Sequence, residues 1–344
     1  PMGLFRKELN YKSMTFIQSI FGTLNNLGQL FCAYIGFGVY SLVLPNAILA
    51  PISAGILIYK SGFFPKKELG IQYWKSIINY TKYVIGQRIL GKVVNEGDTF
   101  IVGKTMGLQS LGIYNMAFQF SNLFVGYILP ILSNVFLPIY SINNSNLQIV
   151  KEKLFKTTEY LTIIMFPILT LISINADILV NLIYGEKWTQ SILYIQIFMF
   201  YILIYAISSS VSGVYNAIGK PNIGLTFVLF YSPLFFGILF FVANQYKNLM
   251  YIVVLVTIMR IIGSIIHFYI VSRLLSFNFY IFILKLLPLI ITNMVFGILR
   301  IIAFKEINIK NNLIISLIFT VIVLFIYYKF HKKSTIELIK LLKA

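Results

Sequence analysis

Charge is scarce in this sequence and unevenly signed. Only 11% of the 344 residues are Asp, Glu, Lys or Arg, where a soluble globule carries about a quarter. Acids are scarcest, at 10 against 28 Lys and Arg. There is one cysteine, Cys32, so an internal disulfide is excluded. The two histidines, His267 and His331, give no metal-ligand spacing, and no metal or cofactor is expected. No cleavable signal peptide is visible: the chain opens PMGLFRKELNY, and its first apolar run begins near Met14. No long polar segment is present to fold as a soluble basic domain, which argues against nucleic acid as the partner despite a net charge of +18.

What the sequence has is apolar length. Hydrophobic residues make up 58% of the chain, and the mean hydropathy is +0.85. Runs of roughly 20 apolar residues, enough to cross a ~30 Å hydrocarbon layer as helix, recur throughout. Short alternating strand segments are absent, so the expected class is an all-α integral membrane protein. Ten spans are predicted, at roughly 14–36, 39–59, 76–104, 113–140, 157–175, 190–217, 222–243, 249–274, 280–303 and 311–329. Glycine, proline and asparagine clusters separate them, including Gly107 to Gly112 and Gly219–Lys220–Pro221. Two stretches read as interfacial: Leu147–Leu161 lying along the surface before the next span, and Asp177–Trp188 as a short apolar helix ending at Gly185.

Loop charges orient these spans. With the loops assigned alternately to two sides, 17 basic residues fall on the side of the N-terminus and five on the other (Lys104, Lys187, Lys247, Lys305 and Lys310). The positive-inside rule then places both termini in the cytoplasm.

The most informative span contains GQRILGKVVNEGDTFIVGK, Gly86–Lys104, with five charges between apolar runs. On a helical wheel, Arg88, Lys92, Asn95, Glu96 and Thr99 fall within roughly 100° of one another. A mid-membrane Arg costs about 2.5–3.5 kcal/mol on insertion scales, so such residues face a bundle interior or a wet cavity. Arg88, Lys92 and the mid-span Arg260 are therefore candidate anion-binding residues, with Asn95 and Thr99 lining the same cavity. Arg suits phosphate oxygens through its planar fork and Lys as a point charge. The alternatives are internal pairing, Lys92 with Glu96 at i,i+4 and Asp98 with a basic residue of another helix, or a coupling ion held by Glu96 and Asp98.

At these residues the sequence resembles the Wzx-type oligosaccharide and polysaccharide flippases of the multidrug/oligosaccharidyl-lipid/polysaccharide exporter superfamily. The resemblance is carried by FRKELNY (Phe5–Tyr11), GFGVYSLVLPNAI (Gly36–Ile48), GQRILGKVVNEGDTFIVGKTMGLQSLGIYNMAFQF (Gly86–Phe120), FLPIYS (Phe136–Ser141), LIYGEKW (Leu182–Trp188) and GVYNAIGKPN (Gly213–Asn222), in that order. It implies two helical bundles around a central cavity in the bacterial inner membrane. It also implies alternating-access transfer of an oligosaccharide on undecaprenyl pyrophosphate, for O-antigen, capsule or exopolysaccharide synthesis. Polysaccharide polymerase and chain-length regulator proteins are the implied partners, besides membrane lipids.

In the family FRKELNY precedes about the fifth span, so the chain is expected to lack the first four. Residues 1–75 are then two spans of a partial N-terminal bundle. Residues 76–274 form a complete C-terminal bundle of six, and 275–344 hold two further spans and a basic tail. The alternatives are another exporter of the superfamily, a peptidoglycan-precursor flippase or a small-molecule antiporter, and a membrane enzyme acting on polyprenyl-linked sugars. The enzyme is disfavoured because no nucleophile–base pair or metal cluster is visible.

Overall fold

The computed structural model describes residues 11–62, 71–141 and 147–280, with isolated positions from 282 to 329. The spans expected at 280–303 and 311–329, and the basic tail, lie outside the described residues apart from those positions. Helix dominates and no strand occurs among the described residues. The chain divides into two compact units, Pro1–Lys75 and Ser76–Ala344.

The first unit is a helical hairpin of α1 (Tyr11–Tyr34) and α2 (Leu44–Ser61), joined through a 3-10 turn at Gly38–Leu42. A Cβ at Gly28 would sit 3.0 Å from Pro45, so glycine is what lets the two helices approach there. Ile17 and Leu57 are buried together near the other end, with Phe21 against them. Most large side chains of the hairpin point outward, among them Leu30, Phe31 and Tyr34, as suits helices whose solvent is hydrocarbon.

α3 (Ile71–Ser141) starts just before the boundary between the units and lies mainly in the second, and its 71 residues are not one rod. Gly107 has φ 82° and ψ 176°, a conformation essentially restricted to glycine. The helix reverses there. Tyr114 Oη donates to Asp98 Oδ2 at 2.9 Å, whereas 16 residues along a straight helix would separate them by ~24 Å. α3 is therefore two limbs, 71–106 and 108–141, folded on each other. The expected six-residue break from Gly107 to Gly112 shrinks to one residue, because helix resumes at 108 and carries through Gly112.

Five helices follow: α4 (Leu147–Ile174), α5 (Ala176–Tyr184), α6 (Ile192–Ala217), α7 (Pro221–Tyr246) and α8 (Leu249–Leu274). A second glycine turn, Gly185 at φ 83° and ψ 170°, ends α5 as the LIYGEKW segment implied. Among the described residues, five helical stretches are long and apolar enough to cross a membrane: Gly38–Lys60, Leu147–Ile174, Glu186–Ala217, Pro221–Tyr246 and Leu249–Leu274. α1 and the first limb of α3 are helical over their expected spans but carry more polar residues, and the second limb of α3 is helical over its expected span.

Residues 147–161 do not form a separate surface segment. They are the first turns of α4, and Val150, Leu154, Thr157 and Thr158 are buried. The lysines of this stretch share its turns with those inward-facing residues, so the mixed composition describes one helix with a buried face.

Two apolar cores stack along the second unit. One joins the second limb of α3 to the far half of α4, the first half of α6, the second half of α7 and the first half of α8, around Tyr114, Met165, Phe198 and Phe235. The other joins the start of α4 to the ends of α6 and α8, around Leu154, Tyr215 and Phe268. Hydroxyls lie between them. Thr158 Oγ1 and Ser210 Oγ are 3.4 Å apart, and Ser208 Oγ donates to Ser264 Oγ at 3.3 Å. The first limb of α3 packs along α7 through small residues. A Cβ on Gly86 would meet Leu225 at 3.1 Å, and one on Gly97 would meet the Phe236 ring at 2.6 Å.

Candidate functional site

The second unit brings Asp98 and Arg260 together. Asp98 is wholly buried, the Arg260 side chain is 5% exposed, and Arg260 Nη2 donates to Asp98 Oδ2 at 2.6 Å. Nη1 donates to Asn95 Oδ1 at 3.2 Å and to Tyr201 Oη at 3.4 Å. Both oxygens of Asp98 are occupied, because Tyr114 Oη shares Oδ2 and the Thr99 N–H donates to Oδ1 at 2.7 Å. Aromatic faces enclose the guanidinium, with Phe118 4.6 Å and Tyr201 5.2 Å from its carbon. A buried charge is tolerated when paired and hydrogen-bonded, and cation–π contact adds to the pairing. The cluster ties both limbs of α3 to α6 and α8.

Three cavities surround this cluster. The first, about 500 Å3, lies among α3, α6, α7 and α8 and includes Asn95, Asn122, Tyr205, Ser208, Tyr231 and Arg260 in its lining. The second, about 720 Å3, runs beside the second limb of α3 past Asn115, Gln119 and Tyr127 to Tyr184 and Trp188. The third, about 370 Å3, holds Asn95, Glu96, Thr99, Asn115, Gln119 and Tyr205. Asn122 lines all three.

The stripe read from the helical wheel therefore divides in two. Asn95, Thr99 and Glu96 border the cavities. Arg88 and Lys92 do not line these three; they stay exposed on an adjoining strip of the same face, about one to two turns nearer the start of the limb. The Lys92 and Glu96 side chains are 74% and 70% exposed, with Nζ and Oε1 3.7 Å apart, a pairing worth only ~0.2–0.5 kcal/mol on a helix surface. Arg260 borders the first cavity, but its charge is met by Asp98.

Sequence reasoning missed the amide face Asn115, Gln119 and Asn122. Its signal was present: NMAFQFSN places the three at i, i+4 and i+7, one face of a helix. Gln119 Nε2 donates to Asn115 Oδ1 at 3.3 Å, and Asn122 Nδ2 donates to the Phe118 carbonyl at 2.8 Å. Among the described residues, no group of three or more His, Cys, Asp and Glu gathers as a metal site.

Known proteins are similar to this chain in sequence and in fold. Residues 1–193 match the family described as "Polysaccharide biosynthesis protein". The teichuronic acid biosynthesis protein TuaB of Bacillus subtilis (strain 168) is 21% identical over 281 residues, 80% of this chain and 57% of that protein. The lipopolysaccharide biosynthesis protein WzxC of Escherichia coli (strain K12) is 19% identical over 67% of this chain and 48% of its own length. The amylovoran biosynthesis protein AmsL of Erwinia amylovora is 22% identical over 58% and 50%. The chain thus spans about half the length of the curated relatives it matches. Its fold is that of the lipid II flippase MurJ in an inward closed conformation, at a TM-score of 0.65 and 16% identity over 94% of this chain and 69% of that one. With the family matched over more than half its residues, and with helices long and apolar enough to cross a membrane, this multi-pass membrane chain belongs to the polysaccharide biosynthesis protein family.

Proposed function

We propose that the chain belongs to a flippase that carries an oligosaccharide on a polyprenyl pyrophosphate across the bacterial inner membrane, by alternating access of helical bundles. The observation that carries this reading is the run of amide- and hydroxyl-lined cavities inside an apolar helical unit, beside an exposed strip with Arg88 and Lys92. A polar head needs a wet path, whereas the polyprenyl tail can remain in lipid. Named relatives in teichuronic acid, lipopolysaccharide and amylovoran biosynthesis support a saccharide cargo. A polymerase and a chain-length regulator are the partners such a cargo calls for.

We assign Arg88 and Lys92 to the pyrophosphate, Asn95 and Thr99 to the cavity wall, and Arg260 to holding the helices together. Of the two acids considered for a coupling ion, Glu96 is the better placed, being exposed at a cavity edge. The oxygens of Asp98 already serve Arg260, Tyr114 and Thr99. A membrane enzyme is the weaker reading for the same reason: the acids near the cavities already have basic or hydroxyl partners.

In a flippase-deficient bacterium rescued by this protein, R88Q together with K92Q should lower polysaccharide export about tenfold, the effect of ~1.4 kcal/mol of lost interaction. Quantified surface polysaccharide at matched membrane expression is the readout. Unchanged export would reduce both residues to surface charges.

Orientation is tested separately. In a Cys32→Ser background, single cysteines at the exposed positions Lys187 and Lys247 should react with a membrane-impermeant maleimide added to intact cells. Cysteine at Lys220 should react only after the membrane is opened. The reverse pattern would invert the assignment of a cytoplasmic N-terminus.

A further inference from the structure

The three cavities share lining residues, and we propose that together they form one track that binds the saccharide portion of the cargo while the pyrophosphate stays outside it on the Arg88–Lys92 strip. This rests on the flippase reading and divides the cargo between two subsites. Asn122 borders all three cavities, and the second and third also share Asn115, Phe118 and Gln119. Along the second limb of α3 the lining runs from Gly112 to Leu129. That is ~26 Å of helix at 1.5 Å per residue, most of the thickness of the hydrocarbon layer.

Charge decides what the track holds. Among the described residues Arg260 is its one lining cation and is already matched by Asp98, and Glu96 is its one lining carboxylate. A pyrophosphate placed there would meet no uncommitted cation, and Glu96 would repel it. Neutral hydroxyls are served instead. The Asn115–Gln119 hydrogen bond uses the Asn115 oxygen and the Gln119 nitrogen, which leaves the Asn115 amide to donate and the Gln119 carbonyl to accept. Asn122 donates to Phe118 through Nδ2, leaving Oδ1 as an acceptor. Tyr184, Trp188 and Tyr127 supply flat apolar faces at one end, and Tyr205, Ser208 and Tyr231 supply hydroxyls at the other. Rings with apolar faces and polar edges fit such a lining of aromatic surface with a few placed polar groups.

The chain holds two tryptophans, and Trp188 lies in the track. Trp74→Phe therefore leaves a single reporter. In that background the purified protein in detergent is titrated with undecaprenyl pyrophosphate, either bare or bearing a neutral tetrasaccharide. Binding is followed by thermophoresis, and Trp188 emission is recorded in parallel. The tetrasaccharide-bearing carrier should shift the emission and the bare carrier should not. Asn122→Leu should weaken the tetrasaccharide carrier about tenfold, the scale of one or two lost hydrogen bonds, and leave the bare carrier within about twofold.

Gln119→Leu alters an exposed side chain and so repeats the test without burdening the fold. R88Q with K92Q should weaken both carriers alike. The division is overturned if both carriers shift Trp188 equally, or if both amide variants bind the tetrasaccharide carrier like the parent while the charge variant loses both. If neither carrier binds the parent protein, the flippase reading falls and takes the track with it.

Discussion

Asp98→Ala should destabilise the protein by about 3–5 kcal/mol, because it leaves a buried guanidinium without its counter-charge. Arg260 would keep Asn95 and Tyr201, neither of which is ionised, and its side chain is 5% exposed. Water reaches it poorly, so solvent screening offers little relief. Tyr114 would lose its acceptor in the same step. Thermal unfolding in detergent, followed by size-exclusion fluorescence, reads the effect. Asp98→Asn should fall between the parent and Asp98→Ala, since the amide oxygen still accepts from Tyr114. Asp98→Asn combined with Arg260→Met should recover much of the loss, because removing both charges removes the desolvation cost along with the attraction. A loss within about 0.5 kcal/mol for Asp98→Ala, the range of an ordinary surface substitution, would show that the pair does not hold the helices together.

Gly97→Val should be the next most damaging change, for a steric reason that does not depend on solvent. The position of its Cβ lies 2.6 Å from Phe236 Cζ and 2.7 Å from Cε1. A ring in a packed interface cannot retreat as a flexible chain end can. The first limb of α3 must then move away from α7, at an overpacking cost of about 1–3 kcal/mol. That limb carries Arg88, Lys92, Asn95 and Glu96, so displacement should also reduce export. Phe236→Ala opens the space and should restore stability to Gly97→Val while costing some on its own. Such compensation is a coupling that a double-mutant cycle isolates. If the two losses simply add, Gly97 and Phe236 are not the contact that sets the spacing.

Most of the architecture could be read from the sequence because in lipid it follows from helical length alone. Each of the eight spans expected before residue 274 corresponds to a helix or a limb of one. Breaks were read less well. Gly107 and Gly112 look alike in sequence, but only Gly107 leaves the helix. Leu147–Leu161 misled because lysines beside apolar residues also describe a helix with one buried face.

Candidate residues could be named from the sequence, but not how they are arranged. A wheel puts Arg88 and Asn95 on one side of a helix, yet it cannot say where the neighbouring helix ends. Here Asn95 borders a cavity together with Asn115 and Gln119 of the second limb of α3, and Arg88, about two turns earlier on the same face, does not. Asp98 and Arg260 are 162 residues apart, so their pairing was one possibility among many until the helices were packed. Asn115, Gln119 and Asn122 were overlooked because uncharged amides interrupt an apolar run less conspicuously than Arg or Glu.

α4 has 28 residues, or ~42 Å of helix at 1.5 Å per residue, against a hydrocarbon layer of ~30 Å. About two turns must stand in the headgroup region, and the end beginning at Leu147 carries Lys151, Lys153 and Lys156. Each Lys near an anionic leaflet is worth roughly 1 kcal/mol of attraction. These turns therefore pin the unit's height in the bilayer, and rearrangement of this half is steered toward tilting about a fixed depth instead of sinking or rising through the membrane.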